Sequence, residues 1–262
     1  MQSTQKFKER FIADCRLLLT AYRNGALGNT TMPEDENPGF GVFGSDQADS
    51  TAQEKRIAYF TLPMSLNYQR DSYKLWQAAK KAYNDPATVD IFDCKAVAAM
   101  PVEQLREKLL KYKVALQPNK HIQTWQTIAT TVAKEFGSFQ NLIAASGNDF
   151  LKLKELITIN HKKGFPYLSG PKIFNYWSFI LMQYCGIALT NAQFIDIAPD
   201  THITQCSVKL GLLTADEAQT LSKEEINARW REILMDSDIL PIKMHPPLWF
   251  WSHNGFIYEL PK

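Results

Sequence analysis

The chain has 262 residues, 45% of them apolar, with 29 basic against 27 acidic side chains. That is enough apolar matter for one sizeable core, or for two smaller ones meeting at a cleft. A net charge of +2 excludes a broadly polybasic binder, so any polyanionic partner has to meet a local basic face.

No run approaches the roughly 18 apolar residues of a membrane helix. The opening residues MQSTQKFKERFIADCR carry charges throughout, so neither a span nor a secretory signal is expected, and an intracellular setting is. Cys15, Cys94, Cys185 and Cys206 are scattered through apolar or helical contexts, which predicts reduced core thiols. The chain holds no HExxH, CxxC, Walker or dinucleotide motif, and none of its histidines has metal-ligand spacing; His121 and His161 are assigned to surface or capping roles.

Phe7, Phe11, Cys15, Leu18 and Tyr22 recur at helical spacing, which predicts an amphipathic helix ending near Asn24-Gly25. Residues 26–53 are rich in Gly, Pro and Asp and lack periodicity. They read as a long connection, or as a lid over a substrate, with Phe40 and Phe43 able to pin it to a core. Helical pattern resumes at Glu54 and is interrupted at Pro63, before a polar cluster, Asn67-Tyr68-Gln69-Arg70. That cluster is either an ordinary capped helix entry or a probe for the gap in a duplex.

A helix follows through Leu75, Trp76, Ala79 and Tyr83; another is opened by Pro101 over Leu105, Leu109 and Leu110. A third, from Asn119 to about Phe136, turns Ile122, Trp125, Ile128, Thr131 and Val132 inward and stops at Gly137. Residues 54–163 carry no alternating pattern of useful length, so this half is expected to be an all-α bundle.

The stretch from Gly164 to Leu213 is the most informative. In Phe165-Pro-Tyr-Leu-Ser-Gly-Pro-Lys172, Ser169 or Gly170 can cap a helix and Pro171 suits its first turn. The helix that follows is apolar on nearly every side, hence buried, yet it opens on Lys172. The positive end of the helix and partial burial both disfavour an ammonium there, which predicts an amine able to attack an electrophilic carbon. The alternative is a packed stem with its ammonium reaching solvent. Some 28 residues on, Asp200 follows Pro199 and can cap a helix from Thr201 to Leu210, with Asp196 as a second carboxylate nearby.

Towards the C-terminus, Thr214–Glu217 and Ser222–Glu225 both have capping-box spacing. The final segment is dense in large apolar side chains, Leu248, Trp249, Phe250, Trp251, Phe256, Ile257 and Tyr258. It is expected to fold back on the first helix, whose apolar face otherwise has no partner; left exposed, it would be a docking surface. His245 and His253 flank it.

The lysine after a tight turn, followed by an aspartate in Pro199-Asp200-Thr201-His202-Ile203, resembles the helix–hairpin–helix DNA glycosylases, the superfamily of endonuclease III and 8-oxoguanine glycosylase. Helix order extends the resemblance over about residues 55–215, and motif detail covers about 50 residues. It implies an all-α fold of two helical subdomains flanking a cleft, with a helix–hairpin–helix motif. It divides the chain into residues 1–60, packing with the C-terminal end, a central subdomain 61–190 that includes the hairpin, and a segment 191–262 holding the aspartate helix and aromatic tail.

The resemblance further implies Lys172 as nucleophile at C1′ of an extruded nucleotide and Asp200 as its assisting carboxylate. Phosphate contacts fall to Ser169, Gly170, Lys162, Lys163 and Lys209, with Asn67, Tyr68 and Gln69 also on the DNA, and Asp196, Tyr176 and Trp177 are candidates beside the base. The partner implied is duplex DNA carrying a damaged or modified base, bound by a monomer. The family hairpin reads Gly-Val-Gly where this chain has Leu168-Ser169-Gly170, and Pro171 removes a donor. A monovalent cation at the hairpin is the one cofactor the family suggests; no cysteine follows Cys206, so no iron–sulphur cluster is expected. A non-catalytic nucleic-acid-binding protein, a monofunctional glycosylase, and a helical interaction module docking through its aromatic tail remain alternatives.

Overall fold

The computed structural model describes residues 2–40 and 50–261. Among these the fold is all-helical: there is no strand, and the one β-type pairing is an isolated parallel bridge between Asp149 and Thr190. Phe43 lies outside the described residues. Contacts divide the chain into two units, Met1–Thr31 with Ala192–Lys262, and Met32–Asn191. The first unit opens with α1 (Gln2–Arg23), which ends at Gly25 in a left-handed conformation, φ 71°.

The second unit contains α2 (Ser50–Leu66), α3 (Ser72–Tyr83), α4 (Cys94–Ala99), α5 (Val102–Lys111), α6 (Lys120–Thr131), α7 (Phe139–Ala145), α8 (Phe150–Glu155) and α9 (Pro171–Cys185). Its spine is the packing of α2 on α9, tied by a bond from Trp177 Nε1 to Thr61 Oγ1 of 3.0 Å. Segment 32–40, which the expected boundary at residue 60 places with the N-terminal helix, clusters here instead. The reason is aromatic: the Phe40 ring lies edge-on to Tyr59 and Tyr83 and tilted against Phe60.

Pro63 does not interrupt α2. It removes one backbone donor three residues before the helix ends, while every residue from Ile57 to Leu66 is buried. Burial on all sides outweighs one missing bond. Glu54, near the start of the same helix, accepts from the amides of Phe139 at 2.7 Å and Gln140 at 2.9 Å, and so caps α7 from outside it.

α6 is extended by a π-turn over Val132–Phe136 and stops at Gly137, φ 79°. Trp125, fully buried in α6, stacks on Phe139 and donates to the Ile91 carbonyl at 2.9 Å. His121, assigned by its sequence to the surface or a cap, is instead 3% exposed in the first turn of α6. Its Nδ1 accepts from the Leu116 amide at 3.1 Å, and Nε2 is buried without a partner.

Burial first, then the charges of Arg70 and Lys120, lower the His121 pKa to about 4. The imidazole is neutral in the folded state, whereas the unfolded chain binds its proton below the ordinary value of 6.5. The stability it confers is therefore present above that value and is lost as pH falls towards 4. Thermal midpoints measured across this window should fall, and His121→Asn, which keeps an acceptor for the Leu116 amide, should make the fall shallower.

The first unit is completed by α10 (Thr201–Lys209), α11 (Glu217–Thr220), α12 (Lys223–Leu234) and α13 (His245–His253). α13 packs on both α1 and α10, so the C-terminal aromatic segment covers the apolar face of the first helix. Phe11 meets Trp230 edge-on at 5.3 Å and Tyr22 stacks on Phe250 at 6.0 Å. Two buried polar contacts fix the register: Trp230 Nε1 donates to Ser207 Oγ at 2.9 Å, and Cys206 Sγ to the Leu248 carbonyl at 3.1 Å. All four cysteines are buried free thiols.

Candidate functional site

Gly170 is the residue that caps α9, with an extended backbone and no side-chain bond, and Pro171 occupies the first turn. The preceding turn is closed on itself: the Ser169 amide donates to the Phe165 carbonyl at 2.9 Å and the Gly170 amide to the Tyr167 carbonyl at 3.0 Å. Both donors expected to meet a phosphate are thus engaged inside the turn. The first intrahelical bond runs from the Phe174 amide to the Gly170 carbonyl at 2.8 Å. That leaves the amides of Lys172 and Ile173 without a partner among the described residues, as helix geometry requires.

Tyr167 takes a left-handed backbone, φ 64°, at the point where a glycine would turn without strain. Its side chain holds it there. The hydroxyl donates to the Asn67 carbonyl at 2.5 Å, and the ring meets Tyr68 edge-on at 5.3 Å. The structure so brings the turn at 165–170 and the polar cluster at 67–70 together, although about 100 residues separate them.

Within that cluster, Asn67 exchanges hydrogen bonds with Ser72, Asp71 caps α3, and exposed Gln69 sits at the tip with φ 50°. Arg70 turns inward, donating to the carbonyls of Val114 at 2.6 Å and Lys113 at 2.8 Å, and burial lowers its pKa to about 10. Lys120 lies over the Tyr68 ring at 4.1 Å. On the approach to the hairpin, Lys162 and Lys163 are exposed. Gly164 between them and the turn is required by proximity, because a Cβ there would meet Thr131 Cγ2 at 2.6 Å.

Lys172 is exposed and makes no ion pair among the described residues. Partial burial, one of the two effects expected to act on it, is not observed; its stem leaves the helix at the solvent-facing end. Trp177 is fully buried and bonded to Thr61, which makes it a core residue and removes it from the base-contacting candidates. Trp177→Ala should cost about 3–5 kcal/mol in denaturant unfolding, through lost volume. Tyr176, by contrast, is half-buried and leans on Phe179 at 5.7 Å.

In the other unit, Asp200 caps α10: its carboxylate accepts from the Ile203 amide at 3.1 Å and its backbone is extended. Asp196 is ion-paired with Arg231, a partner that occupies the second carboxylate considered for the same task. Lys209 is exposed with its ammonium over the Phe256 ring at 4.7 Å and that of Trp251 at 5.8 Å. His202, beside the cap, bonds Ser252 at 3.0 Å and meets Trp249 edge-on, while Trp249 stacks on exposed His253 at 4.4 Å.

Sequence reasoning passes over Glu34, which lies in the segment read as a connection. It is 2% exposed, with Oε2 buried and unpartnered. Burial, opposed by a bond to its own backbone and reinforced by Asp35, raises its pKa to about 7, and a hydrogen bond from Tyr176 acts against the rise. A glutamate between prolines and acidic neighbours carries no periodicity from which burial can be read.

Among the described residues there is no group of three or more His, Cys, Asp or Glu side chains placed to hold a metal, and no helix long and apolar enough to cross a membrane. Compared with protein-family models and with curated proteins, the sequence matches none.

Proposed function

We propose that this protein is a helix–hairpin–helix DNA glycosylase with lyase activity, excising a damaged or modified base from duplex DNA through a Schiff base on Lys172. The observation that carries the reading is an exposed lysine with no ion-pair partner among the described residues, at the second position of a helix whose middle turns, Phe174 to Leu181, are mostly buried, set behind a closed turn. Structural lysines find a carboxylate or run along a solvated face; this one stands alone at the mouth of a buried helix. In two subdomains of such a fold, Lys172 belongs to the hairpin side and Asp200 to the aspartate helix.

In the proposed reaction the nucleotide is extruded, which costs least at a damaged or mismatched pair. The Lys172 amine attacks C1′, the base departs, and the Schiff base permits β-elimination of the 3′ phosphate. Asp200, whose carboxylate caps α10, stabilises positive charge developing on the sugar. The amides of Lys172 and Ile173, rather than those of Ser169 and Gly170, are the donors left for a phosphate at the positive end of α9. A monovalent cation at this turn would have to use carbonyl oxygens, of which those of Phe165 and Tyr167 already accept amides.

Borohydride reduction tests the reading directly, because only a Schiff base is trapped as a covalent protein–DNA adduct. A panel of duplexes, each with one lesion, is scored for base release, strand cleavage and adduct. Adduct formation by the wild type supports the lyase. Base release without adduct identifies the monofunctional alternative, and binding without either identifies a nucleic-acid-binding protein.

Lys162 and Lys163, exposed beside the turn, are the proposed backbone contacts. With about three phosphates neutralised, affinity should fall on the order of 40-fold between 50 and 200 mM salt. The double substitution Lys162→Gln, Lys163→Gln should lower the slope of log affinity against log salt by about 2. An unchanged slope would remove both lysines from the interface.

A further inference from the structure

Two histidines of the first unit come into contact although they lie on different helices. His202 is the second residue of α10 and His253 the last of α13. Their ring centroids are 5.6 Å apart with the planes at 73°. Trp249, one turn before His253 on α13, touches both: its face stacks on His253 at 4.4 Å, and it meets His202 edge-on at 5.1 Å.

Hydrogen bonding decides which nitrogen of His202 is available. Ser252 Oγ donates its one proton to Gln205 Oε1 at 2.8 Å. The contact of 3.0 Å between the same oxygen and His202 Nδ1 therefore has the ring as donor. In the neutral imidazole Nε2 then carries the lone pair. A hydrogen-bonded acceptor behind one ring nitrogen is the usual means by which a metal-binding histidine is oriented. His253 is exposed, and neither its nitrogens nor His202 Nε2 has a hydrogen-bond partner among the described residues.

The remaining histidines are placed differently. His121 Nε2 and both nitrogens of His245 are buried, and His161 packs on Phe136 without a second imidazole. A cation between His202 and His253 meets two opposed helix ends: the C-terminus of α13 favours it, and the N-terminus of α10 disfavours it. The Asp200 carboxylate already stands at that second end. With metal–nitrogen bonds of about 2.0–2.1 Å, two imidazoles on one ion have centroids roughly 5 Å apart. A small swing of exposed His253 covers the difference from 5.6 Å.

We infer that His202 and His253 are the protein ligands of an open site for a late first-row divalent cation, such as Zn²⁺ or Ni²⁺, with water in its other positions. Imidazole nitrogen selects that class over Mg²⁺ and Ca²⁺, which take oxygen. All four cysteines are buried, so no surface thiol competes. Held by two side chains, the ion is exchangeable, and it clips the start of α10 to the end of α13. No spacing motif announces the pair, because its members belong to different helices. The site stands whether or not the protein excises a base.

The test uses the 262-residue chain without a histidine tag. Calorimetric titration with NiSO₄ should show a single ion bound, ZnCl₂ should compete for the same site, and MgCl₂ should not. In proton NMR spectra, paramagnetic Ni²⁺ should broaden the His202 and His253 imidazole resonances together, at a concentration that leaves the His161 signal sharp. Ser252→Ala, which removes the acceptor behind His202, should weaken binding by about 10–100-fold. His202→Gln and His253→Gln should each weaken it at least as much.

The broadening is read on the wild type, so it decides the matter even where a variant fails to fold. Absence of Ni²⁺ binding, unchanged affinity in either histidine variant, broadening of one ring without the other, or equal broadening at His161 would each overturn the inference.

Discussion

Lys172→Gln should eliminate the borohydride-trapped adduct and the strand cleavage that follows from it, by a factor on the order of 10³ or more, while duplex affinity changes only a few-fold. The contrast follows from where the side chain stands. It is exposed, has no ion-pair partner among the described residues, and packs no core position. A polar residue of similar length at the second position of α9 therefore disturbs neither packing nor capping, and stability should stay within about 0.5 kcal/mol. Removing an ammonium from the positive end of a helix is, if anything, slightly favourable.

What the substitution removes is the only atom at that position able to form a carbon–nitrogen bond. The proposed binding groups are instead the backbone amides of Lys172 and Ile173 and the exposed lysines at 162 and 163, none of which the variant touches. Strand cleavage persisting in Lys172→Gln would end the Schiff-base account. Loss of binding together with cleavage would reassign Lys172 to phosphate contact.

The elements that the sequence announced share one property: their signals are local. α1 ends where Gly25 permits a left-handed residue, and the capping box of Ser222 and Glu225 opens α12 with both reciprocal bonds present. α9 is apolar around most of its circumference, and Phe174, Trp177, Phe179, Ile180, Leu181 and Cys185 are buried along it. The features that escaped reading depend on what lies opposite. Pro63 looks like a helix breaker until α2 is found buried on every side. His121 reads as a solvated histidine until the Leu116 amide and the bulk of its unit enclose it.

Candidate-site residues divide along the same line. The spacing of Lys172 and Asp200, and the caps that set their backbones, were legible because each belongs to its own helix start. The roles of aromatic residues were not. Trp177 and Tyr176 are adjacent in sequence, yet the indole bonds Thr61 in the core and Tyr176 stays half-buried against Phe179. Helical phase separates them by about 100°, and only the position of α2 decides which of the two faces inward. The turn before α9 departs from the Gly-Val-Gly pattern in its backbone as well as in its residues. The turn closes with a left-handed tyrosine and uses the amides of Ser169 and Gly170 internally, which leaves the next two amides as the donors proposed for a phosphate.

Asp200 offers the second large effect, and here two roles of one carboxylate have to be separated. As a cap, it accepts the Ile203 amide at 3.1 Å, and an asparagine oxygen can accept that bond equally well. In the proposed reaction its charge opposes the positive sugar of the transition state, and asparagine would not replace it there. Asp200→Asn should therefore leave the thermal midpoint within about 1–2 °C of wild type, whereas Asp200→Ala, which loses the cap, should cost about 1 kcal/mol. Base release should fall by roughly 10²–10³ in both variants, the scale for removing one preorganised electrostatic group. The pair of variants makes the assignment decisive. If Asp200→Asn keeps full activity while Asp200→Ala loses stability, the carboxylate is a helix cap and nothing more, and the charge that the departing base requires has to come from elsewhere in the chain. If both lose activity but only Asp200→Ala loses stability, the same side chain starts α10 and serves the chemistry.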